Sequence, residues 1–291
     1  MRTITRPGAL GDLYLLFRAS KVSKGLVSKA QDSLYYWRAH AYSERLRGRL
    51  DDARKVYRTV LSAANADAPA LGLLWWDWAE MEWVNGAPDA ALQVALRSTG
   101  TSGSGSVVIL RSKRELDDIY RSISDERWKE REAWINLRAL LELLTSPPSS
   151  ALGIFDSASS NISLGTEMHE SLTVISLSML YTFGTILRNP SPPGIMRERA
   201  EYAIRLYPNN TIILAFFLEA EQGQGVWGQV KHVLGDKDPG EKDVLQTLAE
   251  IWAIGWERRS WKAEEERIRG RLSTAVQSNR CFSFVYSSRG R

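Results

Sequence analysis

The sequence predicts an all-α protein, an α-solenoid of antiparallel helix pairs with irregular insertions. Residues 37–61 and 75–98 superimpose when shifted by 38 positions, which sets Trp37 on Trp75, Ala41 on Ala79, Glu44 on Glu82, Gly48 on Gly86, Ala53 on Ala91 and Val56 on Val94. A period of that length is the signature of stacked helical hairpins, each of which buries its apolar face only against its neighbours. Apolar residues recur at intervals of three and four through most of the chain, and no segment before residue 278 alternates with the period of two expected of a half-buried strand.

The elements follow in order. Residues 1–29 are basic, and a short helix over 12–20 would be half of an incomplete leading repeat. Residues 30–98 hold the two well-matched repeats. In the first, Leu34, Trp37 and Ala41 mark one helix face, Gly48 makes the turn, and Asp51 and Asp52 place negative charge at the start of the partner helix, where the helix dipole favours it. In the second, Leu74, Trp75, Trp78 and Ala79 precede Gly86, and Pro88 stands in the first turn of the partner. Residues 99–111 read as a flexible Gly/Ser linker, with an extra helix over 112–123. The linker and helix delay the next unit, so Trp75 to Trp134 is 59 residues. Residues 112–276 are degenerate repeats of the same solenoid, with helices expected at 131–144, 151–158, 167–187, 195–206, 211–222, 226–234, 241–256 and 261–276. Residues 277–291 are a tail with one apolar patch, Phe282 to Tyr286.

The repeated residues are expected to pack. Trp37 and Trp75 would fill the groove between helix pairs, each contributing roughly 1.5–3 kcal/mol by burial. On that footing Trp75→Ala costs about 3–5 kcal/mol. Trp78, Tyr57 and Trp134 join this packing set, the alanines allow close helix approach, and Gly48 and Gly86 permit a tight turn. Arg54 and Lys55 of the partner helix are the expected bond partners of Glu44. The matched position in the second unit is Leu92, so Glu82 is expected to bond elsewhere or to face solvent.

The chain carries no concentration of reactive side chains. Its one cysteine, Cys281, excludes an internal disulfide and a Cys-based zinc cluster. The three histidines, His40, His169 and His232, have no metal-ligand spacing, and no phosphate loop, dinucleotide fingerprint or nucleophile elbow occurs. The chain is therefore read as non-enzymatic, with no cofactor. No apolar run is long enough to span a membrane, and the protein is expected to be soluble and intracellular. The net charge of +4 is uneven: +8 over residues 1–60, +5 over 256–291 and −9 between them. Arg38, Arg45, Arg49, Arg54, Lys55 and Arg58 form a candidate basic patch for RNA phosphates, against the plainer alternative of solvated helix faces.

The pattern Trp37-x3-Ala41-Tyr42-x-Glu44-x3-Gly48-x4-Ala53-Arg54-x-Val56-Tyr57 resembles a half-a-TPR (HAT) repeat, as does Trp75-x2-Trp78-Ala79-x2-Glu82-x3-Gly86-x4-Ala91. It departs from the pattern at Glu80, where Tyr42 stands in the first unit, and at Leu92. Leu74 to Glu82, Leu206-Tyr207-Pro208-Asn209-Asn210-Thr211 and Arg267-Ile268-Arg269 are similar to the C-terminal region of the nuclear-RNAi-defective family of RNA-surveillance adaptors. That resemblance implies a nuclear scaffold in RNA processing, surveillance, splicing or silencing, whose partners are RNA-processing proteins or peptide segments of them. Other HAT scaffolds, of the spliceosome or of mRNA 3′-end cleavage, share the first motifs, and direct RNA binding through the basic patch is the competing mode. Oligomeric state is left open.

Overall fold

The computed structural model describes residues 9–220 except 66, 67, 102, 104 and 193, with side chains from Leu15 onward. His232, Gly223, the helices expected beyond residue 222 and the tail patch lie outside the described residues. Every regular element among the described residues is helical. The chain divides into two compact units, residues 1–160 and 161–291.

In the first unit, α1 (Ala9–Lys29) packs on α2 (Leu34–Leu46). α2 and α3 (Leu50–Ala63) form one hairpin, and α4 (Leu71–Val84) and α5 (Pro88–Arg97) form the next. The two hairpin turns are the same turn. Gly48 and Gly86 hold φ of +74° and +77°, a left-handed backbone that a Cβ would strain. Around them Arg49 N–H donates to the Glu44 carbonyl and Ala87 N–H to the Glu82 carbonyl, both at 3.0 Å. The four-residue interval from glutamate to glycine is thus the closing turn of the first helix.

α6 (Ser106–Ser122), a short 3₁₀ turn (Asp125–Arg127), α7 (Trp128–Thr145) and α8 (Pro148–Ser159) complete the unit. α7 buries 13 of its 18 residues, which makes it the centre of the unit, packed on α4, α5, α6 and α8. Its contact with α4 requires Gly72: a Cβ there would lie 2.4–2.8 Å from the Trp134 indole. α6 and α7 are cross-linked by charge, with Lys113 3.0 Å from Glu142, and Arg138 3.1 Å from Asp117 and 2.7 Å from Glu142.

α1 and α6 exceed the bounds the sequence suggests by the most. α1 runs to Lys29 because Leu16, Ser20, Ser23 and Val27 recur on its α2 side; two serines in that stripe hide its amphipathic character. α6 starts at Ser106, inside the stretch read as linker, because Val107 to Leu110 extend it toward its N-terminus.

The second unit contains α9 (Glu167–Tyr181), continued by a π-helical turn (Thr182–Ile186), then α10 (Ile195–Leu206) and α11 (Thr211–Ala220). Leu177, Ala200, Ile204, Ile213, Leu214 and Phe217 lie in its core. The loop of Tyr207 to Asn210 is anchored twice. The Tyr207 hydroxyl lies 2.7 Å from His169 Nδ1, and Asn210 Oδ1 caps α11 by accepting from Ile212 N–H and Ile213 N–H at 2.9 and 3.0 Å.

Gly72→Ala is expected to cost about 1–3 kcal/mol, because the added methyl overpacks a buried indole. Urea unfolding measures it, and an unchanged midpoint would show that α4 and α7 tolerate separation.

Candidate partner-binding groove

The repeat units are joined through carboxylates. Arg54 on α3 grips Glu82 on α4 with Nε and Nη2, each bond 2.7 Å long, and the Trp78 indole N–H donates to the same carboxylate at 3.0 Å. Glu82 is 3% exposed and therefore does not face solvent. Glu44, 2% exposed, occupies the matched site one unit earlier and is bonded by Ser20 of α1 and by Arg47 at 2.9 Å, not by Arg54. Burial would raise both carboxyls. Hydrogen bonds from Ser20 to Glu44, and from Arg54 and Trp78 to Glu82, outweigh it and hold both below the usual carboxylate range.

These pairs redraw the basic patch. Arg38 forks onto Asp77 at 2.6 and 3.1 Å, Arg45 bonds Glu80 at 2.7 Å, and Arg54 is held by Glu82 and Asp51. Arg49 and Lys55 both approach Asp52, at 4.0 and 3.6 Å, and Arg58 is exposed. Three of the six cations therefore stitch α2 and α3 to α4.

The aromatics divide into core and wall. Ala41, Ala53, Tyr57, Ala79 and Ala91 are fully buried, and Trp78 and Trp134 nearly so. Tyr57 stacks on Trp78 at 5.9 Å, and Trp78 on Trp75 at 6.0 Å, with planes 8° and 12° apart. Trp37 and Trp75 are only half-buried. The Trp37 indole N–H donates to the Gln31 carbonyl at 2.8 Å, which draws the ring toward the helix end rather than between units. Gly48 and Gly86 lie exposed in their turns.

Trp75 ends this aromatic ladder in an open groove of about 720 Å³. Leu61 and Ala64 at the end of α3, Leu71 of α4, and Ser98, Thr99 and Gly100 after α5 form one side. Glu115, Ile119 and Ser122 of α6, and Arg127, Glu130 and Trp134 at the start of α7, form the other. Arg127 bonds Glu130 at 2.6 Å, so the lining combines apolar side chains such as Leu61, Leu71 and Ile119 with a paired charge. The sequence predicts a helix over 112–123 but not its place in this wall, because its first turns lie in the stretch read as linker. The available signal was Leu116 and Tyr120 four apart on its buried side, with Ile119 and Ile123 beside them.

A second polar cluster lies closed between α1 and α2. Ser23 Oγ is 3.1 Å from His40 Nδ1, and Ser43 Oγ donates to the His40 carbonyl at 2.8 Å. Burial lowers the His40 pKa against the pull of Glu44, which raises it, and Lys24 and Arg47 add to the lowering. Among the described residues no group of three or more His, Cys, Asp or Glu is placed to hold a metal, and no helix is long and apolar enough to cross a membrane.

No protein-family model matches the chain, and no curated protein matches it in sequence. The geometry itself establishes a helical-repeat fold of adjacent antiparallel pairs.

The carboxylates predict acid sensitivity. Burial would raise Glu142, but hydrogen bonds from Ser146, Arg138 and Lys113 outweigh it and hold it at about 2 against an ordinary 4.5. With Glu44 and Glu82 also depressed, the unfolded chain binds more protons than the folded one below about pH 4.5. Stability is therefore full above that pH and falls as pH drops from about 4.5 toward 2. The urea midpoint should fall across this window, and less steeply in Glu142→Gln. A midpoint constant from pH 5 to pH 3 would contradict the pairing.

Proposed function

We propose that the protein is a non-enzymatic interaction scaffold that seats a peptide segment of a partner protein in the α3–α7 groove. One observation carries this: the half-exposed Trp75 stands in an open groove, braced from behind by Trp78, Tyr57 and the Glu82–Arg54 pair. A large aromatic fixed by its neighbours offers contact area at low entropic cost, which is how protein-binding surfaces anchor partners. Within this reading, the resemblance of residues 37–57 and 75–91 to HAT repeats supports a scaffold of nuclear RNA processing or RNA surveillance. Direct RNA binding draws less support, since Arg38, Arg45 and Arg54 already hold carboxylates.

A photo-crosslinking residue at Ser122 of the full chain tests the proposal in nuclear extract. It is expected to trap RNA-processing proteins, with the yield cut at least about fivefold by Trp75→Ala. Because Trp75 is half-buried, this variant should stay folded, at a cost below that of a fully buried tryptophan. Crosslinks insensitive to Trp75→Ala, or retention of RNA with no protein crosslink, would overturn it.

A further inference from the structure

The charge of the groove beside Trp75 narrows what can fill it. Three charged side chains line it, Glu115, Arg127 and Glu130. Arg127 is committed: its Nε and Nη2 both donate to Glu130 Oε2, at 3.1 and 2.6 Å, and Glu130 is 7% exposed. That pair cancels. Glu115 remains as an exposed carboxylate on the α6 wall, with no ion-pair or hydrogen-bond partner among the described residues. Its neighbour on the same helix, Asp117, is by contrast answered by Arg138 at 3.1 Å.

The helix ends do not offset this carboxylate. α3, α5 and α6 end at the groove, where Ala64, Ser98 and Ile123 line it, whereas α4 and α7 begin there. Each helix end carries roughly half an elementary charge, negative at the C-terminus and positive at the N-terminus. Three C-termini against two N-termini leave the excess negative, the same sign as Glu115. Trp75 adds to it. The indole is stacked against Trp78 and still lines the opening, and the faces of an aromatic ring attract cations, those of tryptophan most strongly.

We propose that the groove takes an arginine side chain of the partner segment, flanked by aliphatic residues. This inference rests on the groove being a peptide site. A guanidinium is planar, so it can lie on the Trp75 ring while its N–H edge forks onto the Glu115 carboxylate. A lysine ammonium pairs with a carboxylate but has no plane to stack. The aliphatic flanks follow from Leu61, Leu71 and Ile119, half-buried apolar side chains of the lining that a neighbouring leucine or valine would cover. An acidic segment would meet Glu115 and the helix C-termini with like charge.

The probe is a fluorescent peptide, Gly-Ser-Leu-Arg-Leu-Ser-Gly, titrated against the full chain and followed by anisotropy. Twin peptides carry citrulline, lysine or glutamate in place of the arginine; citrulline keeps the shape of arginine without its charge. Saturable binding of the arginine peptide is expected, weakened about tenfold by citrulline, which loses both the ion pair and the attraction of the ring. Glu115→Gln should weaken the arginine peptide about fivefold and leave the citrulline peptide within about twofold, because only the arginine peptide pairs with that charge. Glu115 is exposed, so this variant should keep the wild-type thermal melt. Absence of binding, a citrulline or lysine peptide as tight as the arginine one, a tighter glutamate peptide, or equal weakening of the arginine and citrulline peptides by Glu115→Gln would overturn the inference. Polyuridylate retained by the chain and released by Trp75→Ala would overturn it in favour of RNA. The two readings fail separately. Peptides that all bind alike and are all lost in Trp75→Ala leave a peptide groove with no arginine site, whereas crosslinks at Ser122 that ignore Trp75→Ala remove the groove reading itself.

Discussion

A buried glutamate near the end of the first helix in each repeat is the constraint on which the stack depends. A carboxylate removed from water costs several kcal/mol unless it is paired and hydrogen-bonded. Glu44 and Glu82 have no water to turn to, and in both cases the preceding helix supplies a donor: Ser20 for one, Arg54 for the other. A unit displaced by one turn along its neighbour would strand that charge. Apolar packing holds the helices together but tolerates sliding, whereas a two-pronged Arg–carboxylate contact selects one register. Arg38–Asp77 and Arg45–Glu80 extend the same logic between first helices.

The departure from regular repetition makes the groove. The interval from Trp75 to Trp134 exceeds one period, and the additional chain forms α6, which supplies one wall of the opening. α7 then packs on α4 through Trp134 and Gly72, closing the base below Trp75. Here its stacked partner, Trp78, takes the core position, and Trp75 is left half-open in a wall that cannot yield easily.

The helices around the two good repeats were legible because their cues are local: the apolar spacing, Gly48, Gly86, Pro88 and the acidic first turn at Asp51 and Asp52. Which aromatic goes inside was not. Trp37 and Trp75 head the alignment, yet Tyr57 and Trp78 form the fully packed stack, because burial depends on where the next helix lies rather than on which residue recurs. The partner of Glu82 was hidden for a similar reason. Sequence pointed Arg54 at Glu44 in its own hairpin, but α3 is also the neighbour of α4, and Arg54 crosses to the next unit. α1 was underestimated because serines, whose hydroxyls are satisfied by Glu44, His40 and backbone carbonyls, take positions usually apolar.

The most direct test of this account is a double-mutant cycle between Arg54 and Glu82, read by urea unfolding at neutral pH. Arg54→Met leaves a buried carboxylate without its charge partner and is predicted to cost about 3–5 kcal/mol. In the Glu82→Gln background the same change should cost far less, giving a coupling of about 2–3 kcal/mol. Costs that add to within about 0.5 kcal/mol would mean that the pair does not fix the stack.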